Sequence, residues 1–153
     1  MKKNARSMDI LAKMAPGALS RAGFLGFDER PLVKIVEADG AAVAGLGTTH
    51  EAIAAKLVEV FDEAEEAMGN VVRVGDHLTA FHREALGRIP CPFGQCGSFH
   101  KGQVEAADAR TGEKVVFTPL SIHLITAHGF YQGRGSPYRI EPDAACRVLG
   151  IPG

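Results

Sequence analysis

With 153 residues, 46% of them hydrophobic and 23% charged, the chain can bury an apolar core without disulfides or metal and is too apolar to be a disordered segment. Its net charge of −1 excludes a global field that would draw it to nucleic acid or to an anionic membrane. Three cysteines, an odd number, argue against a secreted disulfide framework, and no apolar run reaches the roughly 18 residues of a membrane span.

The opening stretch MKKNARSMDILAKMAPG carries lysines with no long apolar segment behind them. No secretory signal is expected, and the cytoplasm is the expected compartment. MDILAKMA predicts a short helix that ends before Pro16. PGALSRAGFLGFDER reads as a loop, and PLVKIVEA predicts a helix with Pro31 at its first position and Leu32, Ile35 and Val36 on one face.

The strongest helical signal is GTTHEAIAAKLVEVFDEAEEAMGN. Thr48 and Glu51 have the spacing of a capping box. Ile53, Leu57, Val60, Phe61, Ala64 and Met68 recur as one apolar stripe, and Gly69 closes the helix. Glu59, Asp62, Glu63, Glu65 and Glu66 fall on or near the other face, which reads as a solvated surface and not as a cation site.

VVRV predicts a strand. HLTAFHREAL fits either a short helix or a second strand; Gly75-Asp76 makes a plausible turn and favours the strand. After the cysteines, GQVEAAD and EKVVFT predict strands joined by the turn ARTG. Thr118-Pro119 supplies a cap and a first-position proline for the helix PLSIHLITAH, which Gly129 stops; being apolar nearly all round, it is expected to be buried. EPDAACRVLG predicts a short closing helix, with Cys146 in the core.

These elements predict an α+β fold in one domain over residues 1–153. A helical part, 1–70, would pack on an α+β part, 71–153, whose small β-hairpin/helix unit carries a Cys/His knuckle.

The chemistry centres on IPCPFGQCGSFHKG. Cys91 and Cys96 flank four residues in a turn rich in Gly and Pro, and His123 and His128 lie five apart on the helix that follows the hairpin. Zinc takes four soft or borderline ligands in a tetrahedron, commonly two from a tight turn and two from an adjacent helix. Five residues of helix separate the histidines by about 140° around the axis, so both reach one ion only if the helix loosens before Gly129. His100, four residues after Cys96, is an alternate ligand. Against all of this stands a plainer reading: buried free cysteines behave as small hydrophobes, and core histidines often bond backbone carbonyls.

In its order of knuckle, hairpin and helix, the stretch 88–130 resembles a two-Cys/two-His zinc finger, and the treble-clef group more than the short ββα finger. The resemblance implies a structural zinc ion on Cys91, Cys96, His123 and His128. It does not extend to the helical first half. Redox chemistry is less well supported, because four residues separate the cysteines instead of two. Asp76-His77 is similar to the pair that opens HNH-type nuclease sites, but no asparagine follows Asn70 and the match is rejected.

GRGSPYR offers Arg134, Gly135, Ser136 and Arg139 as an anion or partner loop. Arg83, Arg88, Lys101, Arg110 and Lys114 add dispersed basic charge. Three functions are therefore expected to compete. One is a zinc-structured module that binds a protein or nucleic acid. Another is a small zinc hydrolase with three protein ligands, an open water site and a carboxylate or His82 as base. The third is a metal-free protein that works by association.

Overall fold

The computed structural model describes residues 5–94 and 96–152. The first lysines of the chain lie outside that range. Five helices and six strands are present among the described residues, in an α+β arrangement with the helices α1 (Ala5–Met14), α2 (Leu32–Gly45) and α3 (His50–Glu66) in the amino-terminal half.

Each of these helices is bounded by local chemistry, sometimes one residue away from where the sequence pointed. Pro31 stands at the N-cap of α2 and not inside it, with φ −54° and ψ 143°. The N-cap of α3 is Thr49, whose hydroxyl accepts the Ala52 N–H at 3.1 Å, so the capping box expected from Thr48 and Glu51 does not form. Thr48 is engaged elsewhere: its N–H closes the end of α2 on the Val43 carbonyl (3.3 Å). Ile53, Leu57, Val60, Phe61 and Ala64 are buried as the stripe required. Met68 is not part of that stripe; it lies past the helix end at φ 53° and is 87% exposed.

The sheet follows. β1 (Val72–Val74), β2 (Leu78–Arg83), β5 (Gln103–Asp108) and β6 (Lys114–Phe117) form a four-stranded antiparallel sheet in the order β1-β2-β5-β6. The ambiguous segment is therefore a strand. Alternation decides the inward face: Leu78, Ala80, Val104, Ala106, Val115 and Phe117 are buried. α3 and the closing helix α5 (Pro142–Leu149) pack against the sheet. Between β2 and β5 the chain inserts a separate two-stranded hairpin, β3 (Arg88–Pro90) with β4 (Ser98–His100), whose connecting loop contains both cysteines.

α4 (Pro119–His128) begins as expected. Thr118 and Ser121 exchange side-chain and backbone bonds in a capping box, and Gly129 ends the helix in the left-handed region at φ 59°. The helix is a wall shared by two apolar clusters. Ile125 faces the main core of α3, sheet and α5, while Leu120 and Leu124 join Met14, Phe24, Ile35, Ile89, Cys91 and Phe130. Its third side is open: Thr126 and Ala127 are exposed, contrary to the expectation of burial all round.

Two long-range joints hold α2 and the amino-terminal segment. Arg139 forks onto Asp39 of α2, with Nη2 to Oδ1 at 2.9 Å, and both side chains are less than 10% exposed. The segment 24–28 lies directly on the loop after α4. Gly133 N–H donates to the Phe24 carbonyl (2.8 Å) and Phe27 N–H to the Arg134 carbonyl (2.9 Å). A Cβ at Gly133 would fall 2.3 Å from the Leu25 carbonyl oxygen, so only glycine permits the approach.

Candidate metal centre

The hairpin β3–β4 presents its loop toward the carboxyl end of α4. Within the loop, Cys91 N–H donates to the Gly97 carbonyl (3.3 Å) and Gly94 N–H to the Cys91 carbonyl (3.0 Å). Gly94 and Gly97 take φ of 84° and 82°, the region where a side chain is strained, and this lets the loop curl back on itself. The Cys96 thiol donates to the Gly94 carbonyl at 3.1 Å.

Cys91, Cys96, His123 and His128 converge. One ligand atom from each lies within 4.8 Å of the other three. The Nε2 of His128 is 3.5 Å from the Cys91 sulfur and 3.5 Å from the Cys96 sulfur. A tetrahedral zinc with bonds of about 2.3 Å to sulfur and 2.0–2.1 Å to nitrogen sets sulfur and nitrogen ligands about 3.6 Å apart. A thiol hydrogen bond accounts for one of the two distances; their equality fits a common centre. The Nε2 of His123 is buried and has no hydrogen-bond partner among the described residues, as a nitrogen does whose lone pair is aimed at such a centre.

The helix does not loosen to achieve this. α4 remains helical through His128, and the two imidazoles meet with centroids 5.4 Å apart and planes at 82°. The hairpin loop sets both cysteine sulfurs against His128 at the end of the helix, within reach of the His123 ring.

Aromatic rings wall the cluster. Phe93 stacks on His128 at 3.9 Å, Phe130 meets Phe93 edge-on, and Phe99 lies 4.7 Å from His123. Sequence reasoning missed Phe93 and Phe99, although both sit within the cysteine stretch that it singled out. Burial pushes the Cys91 thiol up to about 11 and lowers the His123 pKa. Without metal, Cys91 is thus protonated and His123 neutral at pH 7.

A sign follows for metal binding. Cys91 must release its proton to ligate, so affinity rises with pH. Calorimetric titration with zinc at pH 7, in two buffers of different ionisation enthalpy, is expected to show at least one proton released per ion. Zero release would contradict thiolate ligation.

The other residues singled out from the sequence are dispersed. His100, on β4, is exposed, and its Nε2 is 2.9 Å from the guanidinium of Arg88 across the hairpin; it stands outside the cluster. In the loop 133–139, Arg134 and Gly135 are exposed, and the Ser136 hydroxyl donates to Gln132. Arg139 is committed to Asp39, Glu141 and the Gln132 carbonyl. The loop serves as the bed on which residues 24–28 lie, and Arg139 and Ser136 face internal partners. His82 is buried in β2 against Phe61 and is not one of the clustered groups.

No family model, curated protein or solved structure matches this chain. Among the described residues, no helix is long and apolar enough to cross a membrane.

Proposed function

We propose that the chain is a one-domain, zinc-structured interaction module, in which Cys91, Cys96, His123 and His128 hold one structural Zn²⁺. The convergence of four ligand atoms within 4.8 Å carries this reading. Its donor set is soft and borderline, as zinc prefers over calcium or magnesium. Two thiolates and two neutral imidazoles cancel the charge of a divalent cation. A neutral complex is the cheapest one to bury among Phe93, Phe99 and Phe130. The element order is similar to that of treble-clef zinc fingers.

Four protein ligands complete a tetrahedron, whereas a catalytic zinc keeps one position open for water. A hydrolase therefore has less support than a structural role.

The partner is a protein or a nucleic acid. Arg110 is paired with Asp108, Lys114 with Glu105 and Arg139 with Asp39, while Arg83, Arg88, Lys101 and Arg134 are exposed and too dispersed for strong nonspecific binding to phosphates. The test is the metal content of full-length protein purified without added metal. One zinc per chain is expected. Protein that carries no metal and takes up none in titration would overturn the reading.

A further inference from the structure

We infer that the metal centre is a latch for the amino-terminal segment: when the ion leaves, α1, the segment 24–28 and the first turns of α2 come away from the knuckle, while α3, the sheet and α5 stay folded. The inference rests on the zinc reading and adds to it what the ion controls.

The two apolar clusters divide the molecule unequally. The main core is built from α3, the four-stranded sheet and α5; among the described residues it takes only Val43 from the first 45 and nothing from the knuckle. The second cluster joins Met14, Phe24 and Ile35 to Ile89, Cys91 and one side of α4. Cys91 is at once a proposed ligand and part of the apolar floor on which Met14 and its neighbours rest; it is 2% exposed. The amino-terminal segment is therefore packed on the hairpin that the ion would fix.

Beyond its packing in that cluster and against α4, the hairpin has no strand partner among the described residues. Its strands are three residues each and are not hydrogen-bonded to the main sheet. Isolated two-stranded hairpins are marginal in water. Without the ion, four polar ligand groups would be left crowded beside aromatic rings, and the loop would lose the cross-link that ties it to α4. The floor beneath Met14 would then have no fixed shape.

The boundary of the released part is also set. Asp39 is clamped by Arg139, and Val43 belongs to the main core, so the carboxyl-terminal half of α2 stays in place. The hinge falls between Ile35 and Asp39. Residues 24–28 are tied to the 133–134 backbone by two main-chain hydrogen bonds and by the Arg134 N–H donating to the Asp28 carboxylate (3.2 Å); these bonds open once the apolar floor beneath Met14 and Phe24 loses its shape.

Amide hydrogen exchange on the full chain, zinc-loaded against chelator-treated, tests this. Exchange in residues 9–36 and 88–100 is expected to accelerate about tenfold or more on chelation, with α3, β2, β5 and α5 unchanged. Uniform loss of protection, or an unchanged amino-terminal segment after the zinc has left, would overturn the latch. A chain that never binds zinc would instead sink the metal reading beneath it. Met14→Ala supplies the reciprocal arm, since it loosens the segment without touching a ligand. Coupling is mutual, so its zinc Kd is expected to rise about fivefold or more at unchanged stoichiometry; an unchanged Kd would refute the latch.

Discussion

Cys91→Ser is expected to abolish stoichiometric zinc binding and to lower the thermal midpoint by roughly 8–16 °C in zinc-containing buffer. A serine hydroxyl does not ionise near neutral pH and offers zinc no soft donor, so three ligands remain. The magnitude follows from linkage. An ion present at about a thousand times its Kd stabilises the folded state by about 4 kcal/mol, and a chain of this size shifts by about 2–4 °C per kcal/mol. Chelation of the unmodified protein should reproduce the shift and should add nothing to the variant. His100→Ala is the control: His100 is exposed and faces Arg88, so zinc content and midpoint should both hold. If His100→Ala lost the ion while Cys91→Ser kept it, the ligand set would be wrong.

Arg139→Ala should be the most damaging substitution away from the Cys/His cluster. It leaves the Asp39 carboxylate buried without its partner, and breaking a buried pair from one side costs about 3–5 kcal/mol. Arg139 also donates to the Gln132 carbonyl and to Glu141, so the change unties α2 from the segment leading to α5. Arg139→Lys should recover only part of the loss, because a single ammonium cannot reproduce the two-pronged fork. Denaturant unfolding measures the loss. Zinc stoichiometry in the folded variant should remain one per chain, since no ligand touches Arg139. A loss below 1 kcal/mol would show that the buried pair is dispensable.

The elements legible in the sequence were those whose chemistry is local. Thr118, Pro119 and Gly129 mark both ends of α4 by themselves. Alternation in Gln103–Asp108 assigns the strand and its buried face together. Two threonines stand side by side before α3, and what separates them is the end of the preceding helix: the Thr48 N–H closes α2 on the Val43 carbonyl, which leaves Thr49 to cap α3. The β3–β4 hairpin left no periodic trace: three residues per strand are too few, and Pro90 weakens any strand signal. The seating of residues 24–28 on Gly133 was equally hidden, since it depends on backbone contact between segments more than a hundred residues apart.

The cysteine loop and the two helical histidines could be singled out because each residue type carries its chemistry in its name. Their meeting could not be derived from spacing alone. A rotation of about 140° argues against it, and it is the position of the hairpin beside the end of α4 that brings the four groups together. The aromatic wall around them and the apolar cluster beneath them tie this centre to the amino-terminal segment.

X-ray absorption at the zinc edge on the full-length protein tests the central claim most directly. The expected spectrum is a four-coordinate shell of two sulfurs at about 2.3 Å and two imidazole nitrogens at about 2.0 Å, with no water oxygen. A shell of oxygen and nitrogen without sulfur, or one with a solvent ligand in place of an imidazole, would contradict a closed structural site on Cys91, Cys96, His123 and His128.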